Sequence, residues 1–172
     1  MSIETSRLIL RKFDINDCEM MFNNWCSDPE VTKFLTWNPH ESIETTKMIL
    51  NIWINEYNNP KTYRFGIVLK DTNELIGSID VVDYVDGCPE IGYCLSRKYW
   101  NNGYMSEACK GMIDFLFNEG YSRIVIEANE TNIGSNRVIE KCGFKFTHKE
   151  RKERCSIFKP DPVVVNWYEL IK

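Results

Sequence analysis

Three stretches in which apolar and polar residues alternate follow one another between residues 63 and 95, and the period then lengthens to that of a helix, a strand and a second helix. This order constrains the fold more than any other feature of the chain. Alternation with a period of two marks strands, and strands joined by short turns pair antiparallel, whereas a helix between two strands brings them parallel. In the first stretch Tyr63, Phe65, Ile67 and Leu69 alternate with Arg64, Gly66, Val68 and Lys70. Asp71-Thr72-Asn73-Glu74 supplies a turn, Leu75 to Tyr84 a second strand in which Gly77 marks a place for a bulge, Asp86-Gly87 another turn, and Pro89 to Leu95 a third strand.

The period of three to four residues is clearest from Ser106 to Glu119, where Cys109, Met112, Ile113 and Leu116 share a face and Gly120 gives the stop. Arg123 to Ala128 reads as a short strand, Asn132 to Cys142 as a helix closed by Gly143, and Phe144 to His148 and Val163 to Leu170 as two last strands. Ahead of the triplet, Arg7 to Phe13 reads as a strand. Asp14, with Asp17 three residues on, caps a helix carrying Cys18, Met21, Phe22 and Trp25, broken at Ser27-Asp28-Pro29. Ser42 starts a second helix that Asn58-Asn59-Pro60 ends. The expected order is β-α-α-β-β-β-α-β-α-β-β, an α/β chain with a mixed sheet and helices on its faces.

A length of 172 residues, 43% hydrophobic and 27% charged, suits one domain spanning residues 1–172. No run approaches the roughly 20 apolar residues that span a bilayer, and Met1-Ser2-Ile3-Glu4-Thr5 has no secretory character, so a cytoplasmic protein without membrane contact is expected. The seven cysteines form no C-x-x-C pair and the two histidines are far apart, which argues against a disulfide framework and against a metal site. The net charge of −4 argues against nucleic acid, whose binders need a basic field, and fits a cationic acceptor. The basic cluster Lys149 to Arg154 also holds Glu150 and Glu153 and reads as a solvated strand edge or hairpin. Monomer and homodimer are both compatible with the sequence.

Between Glu90 and Ser106 a strand passes through a loop rich in Asn and Gly into a helix N-terminus. The first amides of a helix lack partners and the dipole there favours an anion, so Asn101, Asn102, Gly103, Tyr104, Met105 and Ser106 can cradle a pyrophosphate, with Gly103 allowing close approach of the backbone. The same pattern also describes a plain turn. No G-x-x-x-x-G-K-[ST] occurs, which excludes a P-loop nucleotidase.

Several motifs decide between these readings. Thr5-Ser6-Arg7-Leu8-Ile9-Leu10-Arg11 opens the chain; Glu90-Ile91-Gly92-Tyr93 and Tyr99-Trp100-Asn101-Asn102-Gly103-Tyr104-Met105-Ser106-Glu107-Ala108 follow; Asn132 to Phe144 carries the pattern N-x-x-S-x-R-V-x-E-K-x-G-F. In type and order they resemble the GNAT acetyltransferase superfamily, within it the RimJ/RimL-like branch, over nearly the whole chain. The resemblance implies acetyl-CoA as donor and a splayed central sheet in which the strands Glu90–Leu95 and Arg123–Ala128 part to admit the pantetheine arm. It implies that backbone groups of Cys94, Leu95 and Ser96 act as partner strand for the pantetheine amides, that Asn101 to Ser106 hold the pyrophosphate, and that Asn132 and Ser135 lie beside the arm and the thioester. Asn132 is equally a helix cap, and the two roles are compatible. Two positions depart from the family pattern: Met105 stands where a second Gly or Ala is frequent, and Ile139 where many relatives carry a tyrosine acid.

An amine attacks a thioester only as the free base, so an acceptor with an amine pKa near 8 to 10 must lose a proton. Glu90 corresponds to the carboxylate that several relatives use as a base, and partial burial would raise its pKa toward a useful value; it would act through water. It can equally be an ordinary strand-end glutamate. Backbone N–H groups near Cys94 and Leu95 are candidates for the oxyanion. Ser135 or a water would assist the leaving thiolate, with Tyr93 and Tyr104 as competing acids. The expected function is acetyl transfer to a primary amine, either a protein N-terminus or a small molecule, with the Asp28–Ser42 and Cys155–Pro162 segments lining the acceptor cleft. The alternative is a non-catalytic acyl-CoA-binding or sensing domain, supported by Met105 and Ile139.

Overall fold

The computed structural model describes residues 1–153 and 162–172. Among them eight strands form one sheet in the order β1-β2-β3-β4-β5-β6-β8-β7. The strands are β1 (Ser2–Glu4), β2 (Leu8–Arg11), β3 (Arg64–Leu69), β4 (Leu75–Val85), β5 (Cys88–Leu95), β6 (Arg123–Asn129), β7 (Lys145–Lys152) and β8 (Val163–Ile171). All neighbours pair antiparallel except β5 and β6, which run parallel because helix α4 (Tyr104–Asn118) crosses between them. Helices α1 (Cys18–Met21), α2 (Pro29–Thr32) and α3 (Ile43–Glu56) precede the central strands, and α5 (Ile133–Lys141) joins β6 to β7.

The sheet is covered on both faces, so the central strands are buried throughout rather than in alternation. On one side Leu8, Phe65, Ile67, Ile79 and Ile91 meet Ala108, Met112 and Leu116 of α4 and Ile139 of α5. On the other, Val68 and Leu75 meet Met21, Trp25 and Leu50. Val68, polar-phase by its place in the alternation, is 1% exposed for that reason. Each such side chain contributes about 1.5–3 kcal/mol when fully buried.

Several elements differ from expectation. β1 was not foreseen; it is a three-residue edge strand. The helix after Asp14 has the expected capping box with Asp17, but it is a 3-10 turn (Ile15–Asp17), then α1, then a π turn (Phe22–Cys26). An apolar spacing of three, one and three fits all of these windings. Asp28-Pro29 does end that helix, yet it also begins α2, because the Asp28 carboxylate accepts from the Glu30 N–H and proline suits the first helical turn. The bulge expected at Gly77 falls beside it: Ile67 pairs with Gly77 and Val68 with Leu75, leaving Ile76 over. A second bulge leaves Val82 over, between the pairs Val81–Ile91 and Asp83–Glu90. β7 extends to Lys152 and lies at the sheet edge, so the described part of the basic cluster is an edge strand. Arg154 and Cys155 to Asp161 lie outside the described residues.

Candidate active site

The parallel neighbours β5 and β6 share a single register pair, Glu90 with Val125, and then diverge. Beyond that point β5 is held only from the β4 side. The wedge leads into a cleft of about 520 Å³ between the second half of β5, the N-terminus of α4 and the first turns of α5, with Glu30, Val31, Phe34 and Leu35 as its outer wall. The cleft brings together Cys94, Leu95, Asn101, Gly103, Tyr104, Met105, Ser106, Asn132 and Ser135 from the sequence-based set. Asn102 and Ser96 are not in its lining.

At the mouth, Asn101 has φ 62° and Gly103 φ 78°, both left-handed, so the chain reverses tightly into α4. Gly103 is the N-cap and has no side chain with which to satisfy the amides of the first turn. The first intrahelical bond of this turn runs from Glu107 N–H to Gly103 O, so the N–H groups of Tyr104, Met105 and Ser106 remain available to an anion. The Met105 side chain is 5% exposed and packs into the core, away from that anion position.

The backbone groups turned toward the wedge differ from those expected. Ser96 N–H donates to Ile76 O (2.7 Å), and Ser96 O accepts from Tyr99 N–H (3.0 Å). Hydrogen-bonded pairs alternate along an antiparallel ladder, so Cys94 also faces its β4 partner Ser78, while Tyr93 and Leu95 face the wedge. Leu95 O already accepts from the Trp100 indole N–H (2.8 Å). Of the expected trio only Leu95 turns its backbone groups toward the wedge; Cys94 and Ser96 face β4, and Tyr93 joins Leu95, a matter of ladder phase that residue types do not encode. The half-buried Cys94 thiol lies 3.4 Å from the Ser78 hydroxyl, and desolvation pushes it up to about 12.

Across the wedge, Asn132 caps α5 by accepting from Ser135 N–H (3.1 Å). The Ser135 hydroxyl lies 3.0 Å from the Tyr93 hydroxyl, which also donates to Ser135 O (3.2 Å). Burial drives the Tyr93 phenol far above its ordinary value, so it stays protonated and able to donate. Tyr104 instead packs edge-on against Tyr99 and under the Arg7 guanidinium.

Glu90 stands at the closed end of the wedge. It is 8% exposed and lies outside the cleft lining. Burial first, and then the Glu127 carboxylate, push its carboxyl up to about 7, with Lys152 opposing. A carboxyl at that value is half ionised near neutral pH and suited to accept a proton. Among the described residues no cluster of three His, Cys, Asp or Glu is placed to hold a metal ion.

A wedge in a mixed sheet that opens onto an uncapped helix N-terminus is now joined by a match of the model described as the acetyltransferase (GNAT) domain to residues 7–145. The chain belongs to the GNAT acetyltransferases. It is 32% identical over 148 residues to the uncharacterized N-acetyltransferase p20 of Bacillus licheniformis, across 84% of this chain and 82% of the relative. Among solved structures, a GNAT-family acetyltransferase from Bacillus anthracis superposes with a TM-score of 0.83 at 28% identity, covering 99% of this chain and 98% of that one. RimL, the ribosomal L7/L12 alpha-N-protein acetyltransferase solved in complex with coenzyme A, shares the fold with a TM-score of 0.81 at 21% identity, covering 99% and 98%.

In this N-acetyltransferase the two departures from the family pattern are both core residues: Met105 is 5% and Ile139 0% exposed. Residues that sequence reasoning missed complete the mouth of the acetyltransferase cleft. Arg137 and Lys141 line it from α5 and form no ion pair among the described residues. Their spacing of four on one helix was readable as a shared face. Arg7 ties the loop down from outside: its Nη1 donates to Asn102 O (3.1 Å), its Nε pairs with Glu107 (2.7 Å), and its guanidinium lies 4.3 Å over Tyr104. Partial burial works against ionisation of Glu107, but bonds from Thr5 and Arg7 outweigh it and hold the carboxyl below its usual value.

Proposed function

We propose that this acetyltransferase uses acetyl-CoA as donor and a primary amine, on a protein N-terminus or a small molecule, as acceptor. The observation that carries the donor is the wedge at Glu90–Val125 leading to the uncapped α4 N-terminus, with Arg137 and Lys141 beside it. Those amides and cations match a pyrophosphate, and the edges of Tyr93 and Leu95 match an extended chain of amides. RimL, which shares the fold, is a structure with coenzyme A, which supports the same choice.

Glu90 takes the proton of the attacking ammonium through a water. The amides of Tyr93 and Leu95 are the nearest donors for an oxyanion forming in the wedge. Ser135, oriented by the Tyr93 hydroxyl, donates a hydrogen bond to the departing thiolate. A thiol has a reference pKa of about 8.5, so that bond suffices without full proton transfer. Val31, Phe34 and Leu35 give the acceptor side an apolar rim.

The test is release of free CoA thiol from acetyl-CoA in the presence of amine panels: peptides with free N-termini, lysine peptides, and aliphatic amines. Turnover that depends on an unblocked amine supports the reading. Tight acetyl-CoA binding without turnover on any amine would sink it.

A further inference from the structure

Among the described residues, helices cover the sheet face that carries Glu90 over β2–β4 but not farther along. The cluster of Val125, Val165 and Trp167, with Val85, Cys88 and Val163 around it, contains no described helix residue. On this face stand carboxylates from three strands: Asp83 of β4, which pairs directly with Glu90, Glu127 of β6 and Glu150 of β7. Like charges directly opposite in an antiparallel pair are destabilising, so fold stability alone gives no reason for Asp83 beside Glu90. Glu90 is nine-tenths buried and makes no hydrogen bond among the described residues, yet its carboxyl lies in the field of all three.

One cation already answers this field. The Lys152 ammonium pairs with Glu127, whose Oε2 is buried, and lies 4.5 Å over the Trp167 ring. Trp167 is fixed from its edge, where Nε1–H donates to Glu150 (2.7 Å). An aromatic face flanked by two carboxylates is the chemistry that holds an ammonium. Lys152 ends β7 with its side chain 33% exposed, so its flexible stem can withdraw into solvent.

We propose that the acceptor carries a second positive charge besides the amine that reacts, and that this charge replaces the Lys152 ammonium on Trp167 and Glu127. The proposal rests on the amine-acetylating reading above. It also ties recognition to catalysis. Among the described residues the charged groups facing Glu90 are Asp83 on β4, Glu127 on β6, and Glu150 and Lys152 on β7; the acceptor's cation takes over from the Lys152 ammonium in favouring the ionised base. A cationic acceptor thus keeps the group that deprotonates it ionised when the lysine leaves.

The experiment compares acceptors of equal length in the thiol-release assay. One arm uses a four-carbon diamine, the matching amino alcohol and the matching amino acid. The other uses peptides with free N-termini and Lys, Gln or Glu at the second position, which separates a small amine from a peptide as the source of the charge. In at least one arm the cationic member should exceed the neutral one about tenfold in kcat/KM, with the anionic member lowest, and the advantage should shrink as salt rises. In Lys152→Met, where no lysine favours the ionised base, the acidic limb of the rate profile should lie at lower pH for the cationic acceptor than for the neutral one. Lys152→Met should lower KM for the cationic acceptor, and Glu127→Gln or Glu150→Gln should compress the preference while coenzyme A affinity is kept. Equal use of neutral and cationic members in both arms overturns the proposal, as does a preference unmoved by all three substitutions. Absence of turnover with every member overturns the amine-acetylating reading and this proposal with it.

Discussion

At the scale of single residues, the proposed chemistry is concentrated in Glu90, Tyr93 and Ser135. Glu90 must be ionised to accept a proton, and burial holds it near 7. The wild-type rate should therefore climb through about pH 7 and level off above it. Glu90→Gln should remove that limb and lower kcat by about 10²–10⁴, with the coenzyme A dissociation constant unchanged. A rate equal to wild type at every pH would return Glu90 to an ordinary strand residue. The Tyr93–Ser135 contact makes a second, graded prediction. Ser135→Ala should cost more in kcat than Tyr93→Phe, because Tyr93 acts through Ser135, and the double variant should be no slower than Ser135→Ala. If Tyr93→Phe collapses alone, tyrosine is the acid itself. That Glu90, Asn132 and Ser135 stand beside the wedge was legible because their motifs are local. Arg7 was not read as part of the site, since its partner Glu107 is 100 residues away in sequence and nothing near either residue announces the pair.

At the scale of elements, the loop into α4 does most to define the donor side. Gly103 combines a φ of 78° with an N-cap lacking a side-chain acceptor. A β-branched residue there is strained, although the space around its Cβ is open apart from the Arg7 guanidinium at 3.6 Å. Coenzyme A at a hundredfold excess over its dissociation constant should stabilise the wild type by about 2.7 kcal/mol, read as a rise in Tm. Gly103→Val should abolish that rise while the unliganded protein still melts cooperatively; a preserved shift would move the anion site elsewhere. Helix α4 was expected from Ser106 and begins at Tyr104, because its start is set by backbone torsions rather than by a capping side chain. The phase of the β4–β5 ladder, which turns Tyr93 and Leu95 rather than Cys94 and Ser96 to the wedge, depends on which strand lies alongside. The alternation of apolar residues records which face is buried but not which edge is bonded. The π turn at Phe22–Cys26 escaped for a related reason: its side-chain spacing is that of an α-helix.

At the scale of the whole molecule, two buried carboxyls set the response to pH. Burial raises Asp80 and Glu90 each to about 7, with Arg64 opposing the rise at Asp80 and Lys152 opposing it at Glu90. Between the ordinary carboxylate range near 4 and the folded value near 7, these groups hold more protons folded than unfolded. Stability should therefore fall as pH rises through that window, by on the order of several kcal/mol in total, and this contribution should be greatest at the acid end. Thermal melts from pH 5 to 8 would check it, and Glu90→Gln should flatten part of the slope; a Tm that climbs toward pH 8 would contradict the burial of both groups. The single rung between β5 and β6 has a consequence of another kind. Strands β6, β8 and β7 are fastened to the other five by one register pair and by the helices packed across them, so the sheet has a seam. A ligand lying in that seam is in effect a ninth strand, contributed by another molecule and removed at every turnover. The amide hydrogens of Tyr93 and Leu95 should exchange quickly in the free enzyme and slowly when the seam is filled, so that each catalytic cycle unzips and restitches the middle of the protein.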